Sequence, residues 1–160
     1  MLNIRPITPK DNPTMAGIIR TVMTEYGATG PGYSIHDPEV DRMFETYSDD
    51  RSVFYVVEND RGEVLGGAGI GPLVGGADTV CELKKMYFLP AARGQGAGHQ
   101  MLGQCLRGAA TLGYRQCYLE TLERMPEARR LYTRYGFREL SGPMGNTGHN
   151  SCDRFFLIDL

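Results

Sequence analysis

Residues able to do chemistry gather first in the run Leu89-Pro90-Ala91-Ala92-Arg93-Gly94-Gln95-Gly96-Ala97-Gly98-His99, where an apolar stretch meets three alternating glycines and a helical pattern begins. Glycine lacks a Cβ, so successive backbone N–H groups can turn outward and an anionic group can come close. The first N–H groups of a helix have no partner within it, and the helix dipole adds partial positive charge there. Arg93 stands at the mouth, where its planar guanidinium can fork onto two phosphate oxygens. The physical expectation is a cradle for phosphate or pyrophosphate. A P-loop would end in Gly-Lys-Ser/Thr, but Gly98 is followed by His99 and Gln100. The dinucleotide fingerprint Gly-x-Gly-x-x-Gly is also unmet, because the glycines fall at 94, 96 and 98.

Such a loop needs a strand before it and a helix behind it. Residues 80–89 read as the strand, and residues 94–112, ended by Gly113, as the longest helix. Upstream, residues 52–58 are rich in β-branched and aromatic side chains, and Asn59-Asp60-Arg61-Gly62 supplies turn chemistry. Residues 64–73 return as the second strand of a hairpin. Gly66, Gly67, Gly69 and Gly71 in that strand point to close approach by another backbone or a ligand, with a weak, flexible strand as the alternative. Residues 2–7 read as a first strand. Asp11 or Asn12 can cap a helix that begins at Pro13 and carries Ile18, Ile19, Val22, Met23 and Tyr26 at helical spacing. A second helix is expected to open at Asp37-Pro38, with Val40, Met43, Phe44 and Tyr47 on one face. Downstream come a strand at 114–122, a helix from Pro126 to Gly136, and closing strands at 137–140 and 152–160. The order β-α-α-β-β-β-α-β-α-β-β predicts an α/β (α+β) mixed sheet flanked by helices, not a doubly wound fold.

The chain has 160 residues, 41% of them hydrophobic and 22% charged, which suits a single globular domain spanning residues 1–160. A net charge of −2, with nothing more basic than the pairs Lys84-Lys85 and Arg129-Arg130, argues against a nucleic-acid partner. Cys81, Cys105, Cys117 and Cys152 form no Cys-x-x-Cys pair, and the three histidines are scattered, so no metal is expected. Met1-Leu2-Asn3-Ile4-Arg5-Pro6 does not read as a secretory leader, and no apolar run reaches membrane-spanning length. The expected location is cytoplasmic, without membrane contact.

Leu83-Lys84-Lys85-Met86-Tyr87-Phe88-Leu89-Pro90, followed by Arg93-Gly94-Gln95-Gly96-Ala97-Gly98, resembles motif A of the GNAT acetyltransferases. Ala128-Arg129-Arg130-Leu131-Tyr132-Thr133-Arg134-Tyr135-Gly136-Phe137 is similar to motif B of the same family. The motifs occur in the family's order and together cover about residues 80–140, a context far more specific than either alone. The resemblance implies a GNAT-like fold, a mostly antiparallel sheet whose fourth and fifth strands splay apart. It also implies acetyl-CoA as co-substrate, its pantetheine arm lying in the gap like an added strand. On this chain, backbone hydrogen bonds would come from Met86 and Phe88, on either side of Tyr87. The pyrophosphate would sit on the N–H groups of Arg93, Gly94, Gln95, Gly96, Ala97 and Gly98. His99 either closes that turn or merely begins the helix surface.

The resemblance also implies an N-acetyltransferase with named roles. Tyr132 falls where many members carry a general acid for the leaving thiolate; its alternative is a core aromatic of an amphipathic helix. Glu82 lies at a position similar to the base glutamate of the histone-acetyltransferase branch, against the alternative of a salt-bridged strand carboxylate. Glu120 is the second candidate base. Met125 stands where many members have an asparagine that contacts the pantetheine, a departure in local detail. Acceptor recognition in the family comes from the first two helices, their connection and the last strands. Tyr26, Tyr33, His36, Asp37 and Asp41 cluster in the first region, and Asn146, His149, Cys152 and Asp153 in the second. An acidic and aromatic lining suits a cationic amine, although Asp37 also reads as a helix N-cap. A small-molecule amine is the expected acceptor. A peptide amine admitted along the glycine-rich strand, and a silent CoA-binding module, are the alternatives, and a homodimer is left open. No Gly-x-Ser-x-Gly elbow supports a hydrolase.

Overall fold

Alternation along β2 (Val53–Glu58) divides its side chains between two cores: Tyr55 and Val57 join one, Phe54 and Val56 the other. The computed structural model, which describes residues 1–160, builds both cores on one seven-stranded sheet. The other strands are β1 (Asn3–Pro6), β3 (Val64–Pro72), β4 (Val80–Phe88), β5 (Gln116–Thr121), β6 (Arg138–Leu140) and β7 (Arg154–Asp159). Their spatial order is β1-β2-β3-β4-β5-β7-β6, and every pairing is antiparallel except β4–β5. A parallel pair needs a crossover, which α3 (Ala97–Thr111) supplies. Met101, Leu102, Cys105 and Ala109 of α3 lie fully buried on one face, joined there by Tyr132 of α4 (Pro126–Tyr135). The opposite face is covered by α1 (Asn12–Glu25), through Met15, Ile18, Ile19 and Val22, and by α2 (Met43–Thr46). No helix is long and apolar enough to cross a membrane.

Two expectations need correction. The helix foreseen from Asp37 is broken: Ser34–His36 and Pro38–Asp41 are 3-10 turns, and α2 is a single α-turn. Arg42, at φ −137° and ψ 45°, leaves helical space between them, so Val40 and Met43 reach the core from separate turns. The close approach expected at the β3 glycines is made by the backbone of the neighbouring strands and by the protein's own aromatics, not by a ligand. A Cβ on Gly66 would come within 2.5 Å of the Phe88 ring, and one on Gly69 within 2.7 Å of both Phe54 and Tyr47. Because β3 lies between β2 and β4, it has no free edge to offer a peptide.

The site depends on two irregularities of β4. Its pairing with β5 covers only Val80, Cys81 and Glu82, so beyond Glu82 the edge facing β5 is unpaired. The strand also bulges: the register with β3 slips between Gly67 and Gly69, where Lys85 sits at φ 58°, the one non-glycine residue with positive φ. A bulge inserts one residue and reverses the face of everything after it. Cys81 and Leu83 pack toward α3, and so do Met86 and Phe88, whereas Tyr87 joins the α1 core. Lys85 is turned toward the connection before α2, where it meets Asp37.

Candidate active site

The gap between β4 and β5 opens into a cavity of about 360 Å³. Its walls are the unpaired half of β4, Leu119–Leu122, the turn at residues 92–99 and the inner face of α4. At the turn, Gly94 and Gly96 adopt left-handed φ of 74° and 79°, and a Cβ on either would meet nothing within 4 Å. Glycine is needed here for the backbone conformation, and the space above is open. Gly96 is the N-cap of α3, and the first helical hydrogen bond runs from Gln100 N–H to Gly96 O. The N–H groups of Ala97, Gly98 and His99 therefore have no partner within the helix, which gives this end the partial positive charge that suits an anion. The His99 ring stands on the cavity wall and packs on Tyr135, 5.1 Å between centroids.

Arg93 does not fit its expected role. Its N–H closes the preceding turn onto Pro90 O, and its guanidinium donates to Phe88 O and to both oxygens of Glu25 at 2.7 and 2.9 Å. With four of its five guanidinium donors occupied, it stands on the cavity wall and braces the turn against the end of α1. Gln95 also turns away, donating its side-chain amide to Ala91 O, and it is absent from the cavity wall. Arg134, in the last turn of α4, borders the cavity without an ion-pair partner, and the sequence reading missed it.

Met86, Tyr87 and Phe88 all line the cavity along the free edge of β4. Burial pushes the Tyr87 hydroxyl up to about 12. Across the gap lies Tyr132, 6% exposed, with its ring against Phe137 and Phe156. Its hydroxyl makes no hydrogen bond within the protein, yet it is not among the sealed polar atoms, so it opens to the cavity. Burial raises its pKa and keeps the proton on oxygen. Tyr132 is thus both a core aromatic and a hydroxyl facing the gap.

At the inner end, three segments converge. Glu82 of β4, Glu120 of β5 and His149 of the β6–β7 connection bring one ligand atom each within 4.8 Å of one another. Burial pushes Glu82 up to about 7, with the Glu120 charge adding to the rise and Lys84, His149 and Lys85 opposing it. Glu120 accepts hydrogen bonds from Tyr118 Oη at 2.7 Å and Thr147 Oγ1 at 2.8 Å. Two carboxylates and an imidazole suit an ammonium group, and by donor type also a divalent cation. Behind them, Asp37 Oδ2 takes His149 Nε2 and Lys85 Nζ, both at 2.7 Å. Burial alone would raise the Asp37 carboxyl, but the His149 hydrogen bond and the Lys85 charge hold it down at about 2. Asp37 occupies an N-cap position but makes no capping hydrogen bond. It lies outside the cavity wall, so its expected contact with the acceptor is not met.

A family model described as an acetyltransferase (GNAT) domain matches residues 50–139. The chain belongs to the GNAT acetyltransferase family. An Escherichia coli relative carrying the name uncharacterized N-acetyltransferase YjgM is 42% identical over 98% of this chain and 94% of its own. In fold, this GNAT chain is similar to an acetyltransferase of the GNAT family from Staphylococcus aureus Mu50, with a TM-score of 0.86, 19% identity and 99% of each chain covered. It is also similar to a GNAT phosphinothricin acetyltransferase from Sinorhizobium meliloti, solved with acetyl-CoA, at a TM-score of 0.77 and 21% identity, covering 99% and 88% of the two chains. The mostly antiparallel mixed sheet agrees with the family expectation, including the short parallel β4–β5 contact.

Within this GNAT frame, the motif residues of β4, the turn and α4 line one cavity, together with Tyr26, Tyr33, Glu120 and His149. The Tyr33 hydroxyl accepts from Arg124 at 2.6 Å, which tethers the connection after α1. His36, Asp41, Asn146 and Asp153 do not reach the cavity wall. Lys85 and Thr147 are the polar residues of the inner end that sequence reasoning passed over. A lysine inside the run Leu-Lys-Lys-Met-Tyr-Phe was the available signal, because a strand seldom buries a charge that lacks a partner.

Proposed function

We propose that the protein acetylates the primary amine of a small cationic molecule with acetyl-CoA as donor, using Glu82 as general base and Tyr132 as general acid. The observation that carries the reading is the close pair of Glu82 and Glu120 at the inner end of a cavity whose other end is an anion-binding turn. An acetyl-CoA molecule matches both ends in chemistry: phosphates for the free N–H groups of Ala97 to His99, and an extended arm for the unpaired β4 edge. The backbone N–H of Arg93, bonded to Pro90 O, falls out of that set, and Arg134 enters it.

An ammonium arriving at the carboxylates cannot attack until it loses a proton. Glu82, pushed up to about 7 by burial, is matched to taking that proton at neutral pH. Glu120, fixed by Tyr118 and Thr147, keeps an acceptor pointed at the same amine. As the new C–N bond forms and the C–S bond breaks, the Tyr132 hydroxyl gives its proton to the departing sulfur, and the second proton shed by the nitrogen as the amide forms returns to the Tyr132 oxygen. Carboxylates favour a cationic acceptor over an anionic one.

The roof over this end supports a small acceptor. Ser151 Oγ donates to Pro31 O at 2.6 Å, and a Cβ on Gly32 would overlap Asn150. The connection after α1, which carries Tyr33, and the β6–β7 connection, which carries His149, are thereby tied together. The test has two steps. Acetyl-CoA should raise the melting temperature by mass action on the native state. A panel of amino acids, polyamines, aminoglycosides and short peptides is then read by release of free CoA thiol. Turnover confined to peptides would refute the small-acceptor reading, and no turnover with any amine despite acetyl-CoA binding would refute the catalytic one.

A further inference from the structure

After each turnover the proposed base, Glu82, is left protonated at the inner end of the cavity, only 4% exposed. The proton must leave before the next amine is bound. Glu120 is a poor carrier, because Tyr118 and Thr147 already donate to its two oxygens. His149 lies on the outward side, its side chain 13% exposed, with a ring nitrogen no more than 4.8 Å from the Glu82 carboxylate. One water molecule closes a gap of that size. We propose that His149 carries the proton from Glu82 to solvent, with Asp37 and Lys85 as positioning residues that set its tautomer. The inference rests on Glu82 being the base.

The arrangement behind the ring is built for this. An ionised carboxylate only accepts hydrogen bonds, so Asp37 requires a proton on His149 Nε2. In the neutral ring, Nδ1 is then left with the lone pair that can receive a proton. The transfer balances simply: Glu82 loses a proton, Nδ1 gains it to give an imidazolium, and the imidazolium releases it to water or buffer. Asp37 stays ionised throughout, stabilising the cation as it forms. Lys85 holds Asp37 in place, with its own side chain fully buried and Nζ 2.7 Å from Asp37 Oδ2 and 3.7 Å from Glu39. It reaches that position through the left-handed bulge, a strained conformation for a lysine that persists where its surroundings demand it. The ring is anchored at its base as well, since His149 N–H donates to Thr147 Oγ1, whose hydroxyl donates to Glu120. The charged groups that face the ring are Glu82 from β4, Glu120 from β5 and Asp37 from the turn before α2, with Lys85 of β4 behind Asp37.

The first arm of the test needs no acceptor. Long-range 1H–15N spectra of the histidine rings should show neutral His149 as the Nε2–H tautomer in the wild-type protein. Asp37→Asn should release it to a mixture, while the remaining amide signals stay in place. A neutral His149 with its proton on Nδ1, or already mixed in the wild type, overturns the proposal. The second arm uses the amine with the highest turnover in the panel above. His149→Ala should lower kcat at least about tenfold, as loss of a proton-transfer group does, with a much smaller change in acceptor KM. Imidazole added to the assay should restore most of that loss, which a purely structural role would not allow. No rescue, or a loss confined to KM, rejects the relay. If Glu82→Gln turns over at the wild-type rate, the base assignment itself has failed, whatever His149 does.

Discussion

Replacing Glu82 by Gln should leave stability nearly unchanged at pH 5 and raise it markedly at pH 8. Glu82 is buried, and that burial pushes its carboxyl from an ordinary 4.5 to about 7. In the unfolded chain the same group loses its proton near the ordinary value. Between those limits the folded protein holds a proton that the unfolded chain has released. Stability therefore falls as pH rises through about 4.5 to 7, and levels off above that. The gap corresponds to a loss of about 3 kcal/mol at most. For a chain of this size it amounts to roughly 6–12 °C in melting temperature. Glutamine has nearly the same shape and never ionises, so the variant escapes the loss. Melting temperatures and urea midpoints of both proteins at pH 5 and pH 8 would measure it. A difference between variant and wild type that is equal at the two pH values would refute the reasoning, because any change in packing or hydrogen bonding alone is independent of pH. In catalysis the same titration should appear as a rise of kcat/KM with pH up to about 7, absent in the variant.

Tyr132→Phe should lower kcat by about 100-fold or more while the melting shift with acetyl-CoA survives, since the hydroxyl bonds to nothing in the protein; loss of the shift instead would make Tyr132 a binding residue. Gly96→Ala should cost roughly 1–2 kcal/mol for its left-handed backbone and weaken acetyl-CoA binding, measured by urea unfolding and by the melting shift. Leu102→Ala, deep in the α3 core, should cost about 2–5 kcal/mol in urea unfolding with kcat at low temperature unchanged. A loss under 1 kcal/mol there would mean the α3 core is loosely packed.

Elements whose signals are local could be read directly from the residues. The turn at Gly94–Gly98, the helix behind it, the hairpin and the α4 pattern each follow from glycine placement, hydrophobic period and turn chemistry within about twenty residues. Family membership followed from two such local motifs in order. Where local signals were ambiguous, the reading failed. Val40, Met43, Phe44 and Tyr47 have helical spacing, but the same spacing fits a 3-10 turn and a single α-turn separated by Arg42. The glycines of β3 announced a close approach without saying by what, and the answer lay in Phe54 and Phe88 on the neighbouring strands and Tyr47 at the end of α2.

The composition and order of the chain determined the glycine-rich anion turn, the element order and the presence of candidate carboxylates. Only the tertiary structure decided which of those groups meet. Arg93 was free to face a phosphate until α1 brought Glu25 within 2.7 Å of it. Glu82 was an ordinary strand carboxylate until burial, with Glu120 nearby, pushed its pKa up to about 7. Lys85 and His149 are separated from Asp37 by 48 and 112 residues, and their contact with it depends on a one-residue bulge in β4 and on the two connections that carry Asp37 and His149. Hydrophobic period and turn chemistry act over a few neighbours, so a sequence displays them openly. Charge pairing and desolvation act through space, and they exist only after the chain has closed on itself.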